Sequence, residues 1–148
     1  MPDQTEATIT RYRDAVFACA VMNFRQMARA VTAQYDAQLR PAGLRATQLN
    51  LLMAIESEAA TTVTDLAEIL AMDRTTLTRN LKLLRDRGLV EKKKKKIALT
   101  ARGRRSAAAA LPLWESAQQQ FVKSLGRRRW AALLDELSAA RASLDSRP

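Results

Sequence analysis

The sequence predicts a mainly α-helical chain, with two short capped helices and a small strand pair held between longer helices at either end. Three observations predict it. Gly and Pro number only four each in 148 residues, so few obligatory turns interrupt the chain. Apolar residues recur at steps of three and four toward both ends, the spacing of one helical face. Between them, cap residues and a glycine stop punctuate two short segments, and two apolar triplets flank a run of lysines.

From Thr8 to Arg40 there is no Gly or Pro, and Phe17, Ala20, Phe24, Met27, Val31, Tyr35 and Leu39 fall on one stripe of a single long helix. Pro41 and Gly43 stop it. Thr47 is expected to cap a second helix ending near Ala59, with Leu49, Leu52, Met53 and Ile55 on its apolar face. Thr61, Thr62 and Val63 suit a minimal strand or an extended link. Thr64 is placed to cap a short helix over 65–70, whose first turn carries Asp65 and Glu68 in register with the helix dipole. Ala71 and Met72 then turn the chain. Asp73 caps a helix over 74–87, which Gly88 ends in the left-handed region.

Two short helices joined by so tight a turn make a helix-turn-helix. Residues 89–91 and 97–99 read as two short strands, a wing beside it. Thr100 caps a long helix over 101–125, whose interior Pro112 is expected to remove a hydrogen bond and bend it. Gly126 breaks that helix. Residues 127–146 form the last one, with Trp130, Leu133, Leu134, Leu137 and Leu144 as its apolar side. The fold class is therefore mainly α: a winged helix-turn-helix lobe over 47–100, flanked by helical regions over 1–40 and 101–148 of a single chain, 1–148.

Composition bounds the function. Hydrophobic residues at 47% and charged residues at 27% describe a chain that buries a core instead of staying disordered. No run approaches the ~20 apolar residues of a membrane span. The first residues carry early acids and no apolar core, so no signal peptide is expected. The lone cysteine, Cys19, allows no intrachain disulfide, which suits a reducing cytoplasm. Net charge is +10 and its distribution is uneven: residues 1–73 carry −3, residues 74–105 carry +11 and residues 106–148 carry +2. A basic segment between nearly neutral flanks is a surface built for a polyanion.

Within that segment Leu77, Leu81 and Leu84 are spaced four and three apart and must face the core. That fixes the helix rotation and turns Arg74, Thr75, Thr78, Arg79 and Lys82 outward, with Thr76 near the N-terminal end. An α-helix fits the major groove of B-DNA. There Arg can bridge guanine O6 and N7, and Thr can meet a base edge, a phosphate or the thymine methyl. Lys92, Lys93, Lys94, Lys95 and Lys96, at the wing tip, would meet the minor groove or flanking backbone and add salt-dependent, sequence-indifferent affinity.

The order of these blocks, with Val63 to Leu70, Asp73 to Leu81, Arg87 to Glu91 and Ile97 to Arg104, resembles the MarR (multiple antibiotic resistance regulator) family, as does Leu39 to Leu52 at the first helix junction. The resemblance spans essentially the whole chain. It implies a homodimer in which both terminal helical regions interlock. Two winged lobes would then reach successive major grooves of a near-palindromic operator on double-stranded DNA, in a transcriptional repressor. It also implies a pocket for a phenolic or aromatic carboxylate effector, for which Phe24, Met27, Leu52 and Trp114 are candidates. Arg74, Thr75, Thr76, Thr78 and Arg79 match the family's recognition-helix positions. The wing departs from the pattern: Glu91 runs straight into five lysines with no Gly, Asn or Asp to make a tight turn. Either the wing is unusually short or a loop is missing from it.

Other readings weigh less. Cys19 as a peroxide-sensing thiol would make the chain a redox-responsive regulator, but its apolar neighbours favour a packed, unreactive thiol. A sequence-indifferent architectural DNA binder would need only the lysines and the net charge. An enzyme is disfavoured. The chain has no histidine, no cysteine cluster for a metal, no Gly-rich phosphate loop and no serine nucleophile elbow. Glu56 and Glu58 diverge at i and i+2 of a helix. No catalytic residue, metal site or cofactor is expected.

Overall fold

The computed structural model describes residues 4–145, and these form seven α-helices and one two-stranded antiparallel sheet. The chain divides into two compact units, residues 1–34 and 35–148. No helix among the described residues is long and apolar enough to cross a membrane.

The first unit differs from the single helix the periodicity predicts. Helix α1 runs Gln4–Ala18 and α2 runs Ala20–Leu39, with the break at Cys19. Neither Gly nor Pro causes it. At the break the Asn23 side-chain amide donates to the carbonyls of Phe17 and Cys19, each at 2.9 Å, and the Cys19 carbonyl also accepts from the Asn23 N–H at 3.1 Å. Of the predicted apolar stripe only Tyr35 and Leu39 are buried, and both belong to the second unit. Phe17 stays 76% exposed and Phe24 59%, so in the first unit the stripe is a bare apolar face.

The second unit holds the core. A 3-10 turn, Arg40–Ala42, ends at Gly43, whose φ of +64° is the left-handed conformation foreseen there. Helix α3 spans Ala46–Glu56 and contributes the fully buried Leu49, Leu51 and Leu52. Its cap is Arg45, not Thr47, which lies within the first turn. The orphan amides are met from elsewhere: Asp36 of α2 accepts from the Ala46 N–H at 2.7 Å, and the Gln48 side chain accepts from Arg45 N–H at 3.1 Å.

Helix α4, Val63–Ile69, is capped by Thr62, whose hydroxyl accepts from the Asp65 N–H, so the cap falls two residues before Thr64. Residues 61–63 form no strand, although Thr61 offers its carbonyl to the Ile97 N–H at 2.8 Å and so lies along the sheet edge. Helix α5 spans Arg74–Asp86 with Asp73 as its cap, as the sequence suggests.

The sheet pairs β1, Val90–Lys93, with β2, Lys96–Leu99, in a register that sets Val90 opposite Leu99 and Lys93 opposite Lys96. The strands thus extend into the lysine run, leaving Lys94 and Lys95 as a two-residue turn. Lys94 takes φ of +57°, the conformation that a Gly or Asn usually supplies. The wing is a short hairpin, closed by a lysine in the left-handed region.

Helix α6, Ala101–Leu125, carries Pro112 inside it and is capped by the Thr100 hydroxyl, which accepts from the Gly103 N–H at 3.0 Å. Gly126, at φ of +92°, separates it from α7, Arg127–Asp145. The expected helix end at Ser146 lies outside the described residues. Phe121 and Trp130 pack edge to face at 5.2 Å across that corner, yet no residue of α7 is buried and Leu134, Leu137 and Leu144 stay exposed.

Candidate nucleic-acid interface

Three leucines orient helix α5. Leu77 and Leu84 are fully buried and Leu81 nearly so, beside the equally buried Leu66 of α4. Burying each stabilises the fold by about 1.5–3 kcal/mol, which sets the rotation of the helix against any preference of its polar face. The opposite face carries Arg74, Thr75, Thr76, Thr78, Arg79 and Lys82, all exposed.

The two ends of the helix-turn-helix close in the same way. After α4, the Met72 N–H reaches the Ala67 carbonyl at 2.9 Å around Ala71, whose φ is +49°. After α5, the Leu89 N–H reaches the Leu84 carbonyl at 2.9 Å around Gly88, whose φ is +70°. Both are Schellman closures, one with the expected glycine and one with an alanine.

The exposed polar side chains are not equally free to meet a ligand. The Thr76 hydroxyl donates to Asp73 at 2.6 Å while its N–H donates to the same carboxylate at 2.8 Å, so Thr76 serves the cap. These bonds hold the Asp73 carboxyl below the ordinary carboxylate range, the side-chain bond from Thr76 contributing most. Arg74 donates to the Thr64 hydroxyl at 2.8 Å and ties α5 to α4. Lys82 pairs with Asp86 at 2.7 Å, an exposed i,i+4 contact worth about 0.3–0.5 kcal/mol that a polyanion can displace. The side chains of Thr75, Thr78 and Arg79 have no hydrogen-bond or ion-pair partner among the described residues, which leaves them open for base edges or phosphates.

The five wing lysines are all exposed, and Lys93 pairs with Glu91 at 3.0 Å. The root of the wing is rigid: the Thr100 N–H reaches the Leu89 carbonyl, and the Thr100 hydroxyl donates to the Gly88 carbonyl at 2.7 Å. Between α5 and the wing lies a cavity of about 340 Å³, with Val63, Val90 and Ile97 on its apolar side and Thr78, Arg85 and Lys95 among its polar lining. Arg85 was not among the residues the pattern picked out. Its spacing from Thr78 and Leu81, seven and four residues, was the available signal that it shares their side of the helix.

Of the expected effector residues, Leu52 and Trp114 belong to the second unit. Leu52 is wholly buried in the core. Trp114 is half-buried and packs edge-on against Tyr35 with ring centroids 6.5 Å apart. Burial raises the Tyr35 hydroxyl above its usual pKa, and that hydroxyl donates to Gln118. Phe24 and Met27 lie exposed in the first unit, where Cys19 sits half-buried at the helix break. No grouping of three or more metal-ligating side chains occurs among the described residues.

A capped helix-turn-helix with an outward Arg and Thr face, backed by a lysine hairpin, defines a winged-helix protein of the DNA-binding class. The sequence model of the MarR family matches residues 42–96. Among solved structures, the chain is 40% identical to the Mycobacterium tuberculosis transcriptional regulator MosR, over 85% of this chain and 99% of that one, with a TM-score of 0.72. The same regulator in complex with DNA matches at 39% identity and a TM-score of 0.68, over 82% of this chain and 98% of that one. CouR from Rhodococcus jostii RHA1, bound to p-coumaroyl-CoA, shares the fold at 21% identity and a TM-score of 0.71, over 85% of this chain and 94% of that one. No match is found among curated proteins. The chain belongs to the MarR family of transcriptional regulators.

Proposed function

We propose that this chain is a homodimeric, sequence-specific repressor that binds a near-palindromic operator on double-stranded DNA and releases it on binding a small effector. The observation that carries the reading is the orientation of α5: three buried leucines turn Thr75, Thr78 and Arg79 outward with their side chains unpartnered, beside the lysine wing. A DNA complex of the 40%-identical regulator MosR supports the nucleic acid as partner. In this division of labour Arg79 and Thr75 read bases, Arg74 and Lys82 steady the helix, and residues 92–96 supply the salt-dependent share of affinity.

Dimerisation accounts for the bare apolar side chains. Ile9, Val16, Phe17, Phe24 and Met27 in the first unit, and Leu134, Leu137 and Leu144 on α7, are each more than a third exposed in the single chain. That much uncovered apolar surface calls for a protein partner, and a second copy supplies the same surfaces by symmetry. A phenolic or aromatic carboxylate effector is the small-molecule class proposed. Complexes such as that of CouR with p-coumaroyl-CoA support the notion that this fold takes aromatic acyl ligands.

Selection of bound duplexes from a random pool tests the reading. A palindromic consensus with half-sites about one helical turn apart is the expected result. Equal recovery of all sequences favours the alternative of a sequence-indifferent DNA binder, for which the observation is the exposure of all five wing lysines.

A further inference from the structure

We propose that the corner where α6 gives way to α7 is a binding site for a small aromatic carboxylate. The DNA-binding face takes no part in it, but its use as an effector site rests on the proposed regulator function. The cavity at this corner measures about 850 Å³, within the roughly 300–1,000 Å³ of small-molecule sites. Among the described residues no acidic side chain lines it. The sequence shows the same bias: between Glu115 and Asp135 there is no acid, while Lys123, Arg127, Arg128 and Arg129 are all basic. This second basic segment lies outside the winged lobe.

The polar lining consists almost wholly of donors. Lys123 of α6 and Arg127 of α7 bring a cation from each helix, and neither side chain has a hydrogen-bond or ion-pair partner among the described residues. Gln118 accepts from the Tyr35 hydroxyl, which occupies its carbonyl oxygen and leaves its amide N–H groups to donate. The Trp130 indole N–H is a further donor, also without a partner among the described residues. Such a lining selects a ligand rich in acceptors and favours negative charge over positive. The remaining wall asks for a flat apolar body. Trp130 stands perpendicular to the buried Phe121 ring, 5.2 Å away, which holds the indole in place. Trp130 and Val122 are both only half-buried, so an aromatic ring laid on them removes apolar surface from water. A carboxylate on the two cations and a ring on the indole satisfy both walls together.

Calorimetric titration of the full chain with naphthoate, in the absence of DNA, tests the site. Wild type, Lys123→Gln, Arg127→Gln and Arg128→Gln are compared. All three side chains are exposed, so no substitution removes core packing. Arg128 carries the same charge as its neighbour but does not line the cavity. Lys123→Gln and Arg127→Gln are each expected to weaken naphthoate binding about tenfold, and Arg128→Gln to leave it unchanged. The neutral naphthamide should bind wild type about tenfold more weakly than naphthoate. Absence of naphthoate binding overturns the proposal. So does wild-type affinity in both Lys123→Gln and Arg127→Gln, which puts the ligand elsewhere. A loss in Arg128→Gln as large as theirs also overturns it, showing diffuse charge attraction. Acetate that displaces naphthoate at equal concentration overturns it too, because the ring would then contribute nothing. If naphthoate binds here yet leaves a DNA complex intact, the effector reading falls and the binding site stands.

Discussion

A Cβ placed on Gly103 would lie 1.9 Å from the carbonyl oxygen of Leu89. No side chain fits there, and the obstacle is backbone, which cannot swing aside. The start of α6 therefore rests directly on the root of the wing. Gly103→Ala should force the two apart and destabilise the fold by about 3 kcal/mol or more, at the upper end of overpacking costs. Urea unfolding measures the loss. A change below about 1 kcal/mol would mean the two backbones separate freely.

Ala71 and Lys94 point the other way. Both hold positive φ without being glycine, at +49° and +57°. The left-handed conformation costs an L-residue about 1–2 kcal/mol, and glycine gives back about 0.5–1 kcal/mol in chain entropy. Ala71→Gly and Lys94→Gly should each raise stability by roughly 0.5–1 kcal/mol. Lys94→Gly also removes a wing charge, so it should weaken all DNA sequences alike while Ala71→Gly leaves binding unchanged.

Acid should loosen the start of α5 before the rest of the fold. The Asp73 carboxyl sits below its ordinary value of 3.8 because Thr76 donates to it through its hydroxyl and its N–H. A depressed folded value means the cap's contribution is complete above the unfolded carboxylate pKa. It is lost as pH falls from there through the folded value. Exchange of the Thr76 amide should thus be protected at pH 6 and lose that protection only as the pH falls below the ordinary carboxylate range, through the lowered folded value. Asp73→Asn keeps an acceptor and should remove the pH dependence.

Reading and holding should separate by mutation. Arg79→Ala is expected to lose about 1–3 kcal/mol of discrimination between bases with little change in salt slope. Replacing lysines 92, 93, 95 and 96 by Gln should flatten the slope and spare the ranking of sequences. Competition binding with operator variants measures the first, and a salt series the second.

Phe17→Glu should yield a monomer. Phe17 is the most exposed of the large apolar residues of the first unit, at 76%, and a buried carboxylate in its place at an interface between copies is strongly disfavoured. Sedimentation at micromolar concentration reads the outcome, and an undiminished dimer would exclude this face from the contact.

Much of the fold was legible because its signals are local. Asp73 and Thr100 each cap an amide three residues on, Gly88 needs only its own backbone freedom, and the leucine spacing of α5 needs no partner to be read. The failures are of other kinds. The Ala46 amide is met by Asp36, ten residues back, and of the start of α3 only Gln48, reaching the Arg45 N–H, is a local sign. Thr62 and Thr64 are equal candidates until Arg74 occupies the Thr64 hydroxyl. The break at Cys19 has no Gly or Pro to announce it, and the Asn23 side-chain bonds that accompany it reach carbonyls four and six residues back. In the interface, the helix face was readable from period alone. The cleft was not, because it exists only where the wing folds back beside Arg85.

The Thr100 hydroxyl joins three things at once. It donates to Gly88, where α5 ends, accepts from Gly103, where α6 begins, and stands at the foot of β2. Two long levers therefore share one pin. Replacing Thr100 by Val removes both bonds together, so the end of α5 and the start of α6 lose their shared anchor in a single substitution.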